Sequence, residues 1–407
     1  MNNEKRMPLE GIRVIELATV VAAPTTCRML CAYGAEVIKV ETSYGDEMRR
    51  AGSTELTPYT DQVNPLFTVH NSNKKLTSIN IKDPQGKEAF LKLLESADVF
   101  VSNVREQSLK RLGLDYETLK PMFPGLIYAH FSGFGPKGPE ANSPGFDSTA
   151  FWLRNGPMAD WQEEGAFPFK PTYAFGDMAT SSVLLSGILM AIIGRSVSGC
   201  GTKVETSLMA SGIWCNAVGV VSTQFERKKL NPEPLRPRNP FAWCYQCSDE
   251  NWIGMYINEY GREKEKFAKM LGMEDILTDP RYETLDSLAE TDAIVEAVTR
   301  VAKIFKTRSS KEWREFLVSN NVSCEVMQRT MDVSGDPQAL ANNYVEPVTF
   351  GDGSTVTLPC PPIFFSDYCR RDIIPTGSIG ENTDEIFSSL GYSEEETAAL
   401  KAKGAIR

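Results

Sequence analysis

Residues 8–41 read PLEGIRVIELATVVAAPTTCRMLCAYGAEVIKVE, and this stretch decides the fold. Ile12 to Leu17 is a β-branched and leucine run of strand length. Residues 19–24 form a turn of small side chains in which Pro24 suits a first helical position. The helix runs to about Tyr33, where Gly34 fits a left-handed cap. Ala35 to Val40 is a second buried strand, closed by Glu41. Strand, helix and strand make a βαβ unit, which predicts a parallel sheet with helices on its faces. Ligands of such sheets bind beyond the carboxyl ends of the strands, so residues 19–22 and 41–46 are candidate contacts. An acidic residue closing the second strand suggests a nicotinamide dinucleotide. The first turn rejects that reading, because it lacks the G-x-G-x-x-G that lets backbone approach a pyrophosphate.

Composition narrows the class. The 407 residues are 42% apolar and 24% charged, an ordinary globular balance with ample core, and the length suits two domains. A formal net charge of -10 argues against nucleic acid as a partner. The N-terminus carries no signal pattern, and the longest strongly apolar run, 183–193, is too short to span a bilayer, so no membrane partner is expected. Nine irregularly spaced cysteines fit free thiols in a reducing cytoplasm. Cys244 and Cys247 form the single C-x-x-C. With only His70 and His130 in the chain, no metal site is expected there.

Working outward, residues 42–72 read as an irregular excursion. Further strands are predicted at 76–81, 98–101, 126–131 and 203–208, with helices at 83–97, 178–197 and 209–227. The strand at 98–101 ends in Ser102-Asn103-Val104-Arg105, and a short helix carrying Arg105, Lys110 and Arg111 follows. Lys74 and Lys75 precede another strand. These cations could be a solvated face; gathered around one sheet edge of an acidic protein, they suit a polyanionic small molecule bearing phosphate. The loop from Gly133 to Pro139 is either a close backbone approach to a ligand or a tight surface turn. Residues 228–240 hold four prolines and read as a stiff linker. Beyond it come a hairpin at 242–257, helices at 260–271, 286–305 and 309–320, a strand at 322–328, a hairpin at 345–367 and a last helix at 382–402. The fold class is thus α/β, with a Rossmann-like large domain over 1–227, the linker 228–240, a smaller α+β domain over 241–330 and a final segment over 331–407.

Several short patterns together resemble the class III CoA-transferases, the family of formyl-CoA, carnitine and 2-hydroxyacyl-CoA transferases and the α-methylacyl-CoA racemases. They are Pro8 to Val14, Gly34 to Glu41, Gly45-Asp46, Asn73-Lys74-Lys75, Asp98 to Asn103, Gly133-Phe134-Gly135, Gly145-Phe146-Asp147 and Gly176-Asp177. Pro144 to Phe151, Arg154-Asn155-Gly156 and Asn239-Pro240-Phe241 are similar to the transferases for aryl-lactates and other 2-hydroxy acids. The resemblance implies an interlocked homodimer, a C-terminal segment returning to the large domain, and acyl-CoA and a carboxylic acid as substrates. Coenzyme A is then a substrate and no tightly bound cofactor is needed. It also implies that Val20, Val21 and Ala22 line CoA, that Thr42 stands where relatives place an arginine, and that Ile79, Asn103, Val104 and Arg111 are further contacts. Arg105 and Lys137 join them on charge alone.

The reaction needs an enzyme carboxylate that carries the acyl group and then CoA. In formyl-CoA transferase that aspartate lies nine residues after the glycine matching Gly156; the same count here reaches Gly165, which has no carboxylate. The candidates are Asp177, then Glu163 and Glu164, then Asp147. Asp177 stands first because racemases use the matching aspartate as acid and base; a helix N-terminus there would keep it ionised, although it could equally be a plain helix cap. A racemase would carry histidine where Phe146 stands. A non-catalytic acyl-CoA binder is the remaining alternative. The aromatic residues between Phe146 and Phe169 favour a bulky acyl group.

Overall fold

The computed structural model describes residues 6–225, 230–257 and 259–407. The predicted parallel sheet is present with six strands: β1 (Arg13–Leu17), β2 (Glu36–Glu41), β3 (Lys75–Ser78), β4 (Val99–Ser102), β5 (Ile127–Ser132) and β6 (Lys203–Ser207). Their order is β3-β2-β1-β4-β5-β6, all parallel. The strand order reverses direction between β1 and β4, which is where such sheets open a crevice for ligands.

The strands read as apolar runs because both faces are covered. Ile15, Ile38, Val40, Phe100 and Tyr128 face one core with Phe90 and Phe387. The opposite face carries helix α1 (Ala22–Ala32), every residue of which is buried, and helix α2 (Phe175–Ser198) packed along it. Tyr33 ends α1 and Gly34 follows at φ +115°; a Cβ on Gly34 would sit 2.7 Å from Met7 Cβ. Helix α2 has 24 residues and is long and apolar enough to cross a bilayer, but it buries Thr180, Leu184 and Ile188 in this fold.

Two compact units emerge. The first holds the described residues 6–158, 170–225 and 336–407; the second holds 159–169 with 230–335. The sequence reading ran its large domain unbroken to 227. Residues 159–169 instead join the second unit, where Asn231 Nδ2 donates to Ala159 O at 2.7 Å and to Gln162 O at 3.0 Å. Linker residues 228 and 229 lie outside the described residues, and 230–240 form no helix or strand.

In the second unit, β7 (Cys244–Gln246), β8 (Trp252–Tyr256) and β9 (Ser323–Val326) pair antiparallel, so the 242–257 hairpin and the strand after it are as read. Its core stacks Phe305 on Trp313 at 4.5 Å. The second predicted hairpin is β10 (Val345–Thr349) with β11 (Thr355–Pro359), in the first unit. Three predicted helices are split: the 209–227 pattern breaks at Asn216. The 286–305 pattern breaks after Glu290, and the 382–402 pattern breaks at Gly391, φ +83°, before Ser393 caps the next helix.

Candidate active site

The carboxyl edge of the sheet is built from strand-end loops stitched to one another. Asn103, after β4, donates from Nδ2 to Thr19 O at 2.7 Å and accepts from Thr19 N at 3.0 Å. It therefore holds the β1–α1 loop across the crevice. His130 on β5 bonds Val104 O at 2.9 Å. Val20 sits at φ +70°, a backbone region costly for a β-branched side chain. Val21 and Ala22 are buried below it. Thr42 is exposed in the turn after β2, while Glu41 is consumed by Arg49 through bonds of 2.8 and 2.7 Å. That pairing agrees with rejecting a ribose-binding role for Glu41.

Charge is distributed differently from the sequence reading. Lys74 is not an edge cation: it is buried, 2.6 Å from Glu16. Lys75 begins β3 and so lies at the amino edge, where it pairs with Glu36 and Glu385. Ile79 lies just beyond β3. It is a core residue, bridged to Ile406 of the C-terminal tail, with its N–H on Glu41 O. Arg105, Arg111 and Lys137 remain exposed, with Arg105 and Arg111 on the helix that follows β4.

The Gly133 loop resolves as backbone packing. A Cβ on Gly133 would lie 2.7 Å from Gly145 Cα, and the reverse holds for Gly145. Two loops thus touch backbone to backbone at the end of β5, and the next residues, Phe146 and Asp147, are placed by that contact. Asp147 opens a π-helical turn, Asp147–Leu153. Its Oδ1 accepts from Asp177 N at 2.8 Å. Gly176 makes this possible, because a Cβ there would overlap the Phe151 ring and stand 2.5 Å from Asp147 Oδ1.

Asp147, not Asp177, is therefore the acid that caps α2. Asp177 lies in the first turn, 8% exposed, and among the described residues its carboxyl has no hydrogen bond or cation. Burial, then the nearby charge of Asp147, pushes its pKa up to about 7. At this helix end the Asp177 amide donates to Asp147 Oδ1, and burial outweighs the favourable end of the helix for the Asp177 carboxyl. Burial likewise raises Asp147, against the amides it accepts. Ala174, at φ +61° just before α2, shares a small buried cluster with Val21, Met48 and Phe67, which places the start of α2 near the β1–α1 loop. Thr26 Oγ1 on α1 donates to Ser181 O at 3.0 Å and holds that register. Glu163 and Glu164 lie instead in an exposed turn of the second unit.

An unpaired, buried carboxyl beside a strand-end loop fits covalent acyl carriage, and the comparisons identify the setting. Residues 9–381 match the profile of CoA-transferase family III. The chain belongs to that family. This family III transferase is 35% identical over 404 residues to an (R)-2-hydroxy-4-methylpentanoate CoA-transferase of Clostridioides difficile, covering 98% of this chain and 100% of the relative. It is 31% identical over 407 residues to a cinnamoyl-CoA:phenyllactate CoA-transferase of Clostridium sporogenes, covering 98% and 97%. A CaiB/BaiF family protein from Brucella suis superposes with TM-score 0.78 at 26% identity, over 95% of this transferase and 100% of that chain.

Proposed function

We propose that this transferase moves CoA from an acyl-CoA thioester to a 2-hydroxy or aryl carboxylic acid, with Asp177 as the carrier. The carrying observation is the buried, unpaired Asp177 carboxyl beside the β1–α1 loop. An Asp177 oxygen attacks the thioester carbonyl, the C–S bond breaks, and CoA leaves as thiolate. The thiolate attacks the aspartyl carbonyl of the resulting anhydride. The donor acid departs as carboxylate and leaves an aspartyl-CoA thioester. The acceptor carboxylate attacks that carbonyl and releases the thiolate again. The thiolate then takes the acceptor acyl group and frees Asp177. A carboxylate with a raised pKa is the stronger nucleophile once ionised.

The acid class is supported by the names of the two relatives, which act on branched and aryl 2-hydroxy acids. Exposed aromatic side chains beside the two aspartates agree: Phe146 is 60% exposed, and Phe175 is exposed with its ring 5.8 Å from that of Trp152. Incubation with an acyl-CoA and a panel of 2-hydroxy acids, read by mass spectrometry, should yield new CoA thioesters of those acids. Hydroxylamine trapping should label Asp177. Product thioesters formed only from short unsubstituted acids would remove the substrate assignment.

The pH dependence has a definite sign. The attacking form is the carboxylate, so kcat/KM should rise about tenfold per pH unit below an apparent pKa near 7, then level. A profile flat from about pH 5 upward would contradict the role of Asp177.

The proposal includes a homodimer and a cytoplasmic location. All nine cysteines are free. Helix α2, α3 (Leu208–Cys215) and α4 (Ala217–Ser222) carry a broad exposed apolar face, with Val197 at 87%, Val218 at 83% and Trp214 at 77% exposure. Light scattering of the parent should give the mass of two chains; a monomeric mass would contradict this part.

A further inference from the structure

Four charged side chains lie under the β1–α1 loop with no solvent access: Glu16, Lys39 and Lys74 are fully buried, and Asp46 pairs with Lys39 at 0% side-chain exposure. Glu16 and Lys39 are register partners on β1 and β2, joined at 2.8 Å. Lys39 also meets Asp46 at 2.9 Å, and Lys74 meets Glu16 at 2.6 Å. Burial alone would raise the carboxyls, yet the lysines beside them hold both Glu16 and Asp46 below their usual range. Stability gives no reason for such a cluster, because a packed apolar substitute for a buried ion pair is often neutral or better.

The cluster's remaining bonds show what it does. Lys39 Nζ donates to Ala18 O at 2.8 Å, Asp46 Oδ1 accepts from Val20 N at 3.0 Å, and Lys74 Nζ donates to Pro24 O at 2.8 Å. All three targets lie in one seven-residue segment, 18–24. Within it, Val20 is held at φ +70°. Such a backbone is strained for a β-branched residue and persists only where its surroundings over-determine it.

We propose that the buried Glu16–Lys39–Asp46–Lys74 network preorganises the β1–α1 loop for the CoA moiety, with Asp46 as the positioning residue that fixes Val20. This rests on the reading that residues 19–22 face CoA. Holding the loop before binding removes an ordering cost from association.

Hydrogen exchange on the full chain separates the two ideas. In the parent protein, added CoA should slow exchange of the amides at 19–23; no slowing would refute the contact reading itself. Asp46→Asn keeps an oxygen for Val20 N–H but removes the charge facing Lys39. It should speed exchange across 18–22 and raise KM for acyl-CoA about tenfold, with kcat changed less than about threefold. Phe267→Leu, in the core of the second unit, serves as a control for lost stability and should leave KM unchanged. With CoA protection intact in the parent, an Asp46→Asn protein of unchanged KM and loop exchange overturns the proposal. If that variant does not fold, Val20→Gly disturbs no buried charge and frees the loop at a position glycine tolerates. It should raise KM without lowering Tm, and an unchanged KM would overturn the proposal equally.

Discussion

Asp177→Ala should abolish CoA exchange, lowering kcat by at least about 10³-fold while the fold is retained. The size follows from the role: once the carrier oxygen is gone, no anhydride can form, and oriented binding alone supplies the residual rate. Asp177→Asn should be as inactive despite its matching shape. It should also be more stable than the parent at high pH. The sign follows from proton counts. A native pKa near 7 against an ordinary value of 3.8 means the folded chain binds more protons than the unfolded one between those values. Stability contributed by the neutral carboxyl is therefore present at low pH and lost as pH rises through 7. The Tm advantage of Asp177→Asn should grow from about pH 5 to about pH 8. Glu163→Gln and Glu164→Gln should keep nearly full turnover. Turnover by Asp177→Ala within about tenfold of the parent, or hydroxylamine label on another residue, would end the assignment.

Lys39→Met should cost about 3–5 kcal/mol in urea unfolding. Methionine fills most of the lysine stem's volume, so lost packing explains little of the change. What remains is two buried carboxyls, Glu16 and Asp46, facing one lysine at most; Glu16 keeps Lys74, while Asp46 keeps the amides of Val20 and Met48 but no cation. Adding Asp46→Asn to Lys39→Met should recover more than half of the loss, because the stranded charge goes with it. The double-mutant cycle then measures the coupling directly. A loss under about 1 kcal/mol for the single variant would mean that water reaches the cluster and the charges are not truly desolvated.

The sheet was legible because parallel strands covered on both faces must read as short apolar runs, as β1, β2, β4 and β5 do. Helix ends were less so. Nothing near Gly391 says whether a glycine interrupts a helix or is tolerated in it until the capping Ser393 is seen to start another. The cations misled for a geometric reason. Lys75 is the first residue of β3, so it belongs to the opposite edge, and Lys74 finds its partner 58 positions away on β1. Ile79 could not be read as covered, since Ile406 reaches it from the far end of the chain. Asp177 is reached through family resemblance, but the burial of its carboxyl beside Asp147 is a tertiary fact. The buried network did leave a local trace. Glu16 and Lys39 each stand mid-strand among apolar neighbours, and a charge in a doubly covered strand requires an opposite charge beside it.

The Gly133–Gly145 contact limits how this enzyme could be retooled. With no room for a single methyl between the two loops, diversity introduced at either glycine would be spent on misplacing Asp147 before any new acid was sampled. Libraries aimed at a wider acceptor range should hold both glycines constant and vary Phe146, whose ring already looks outward and whose backbone the contact keeps in place.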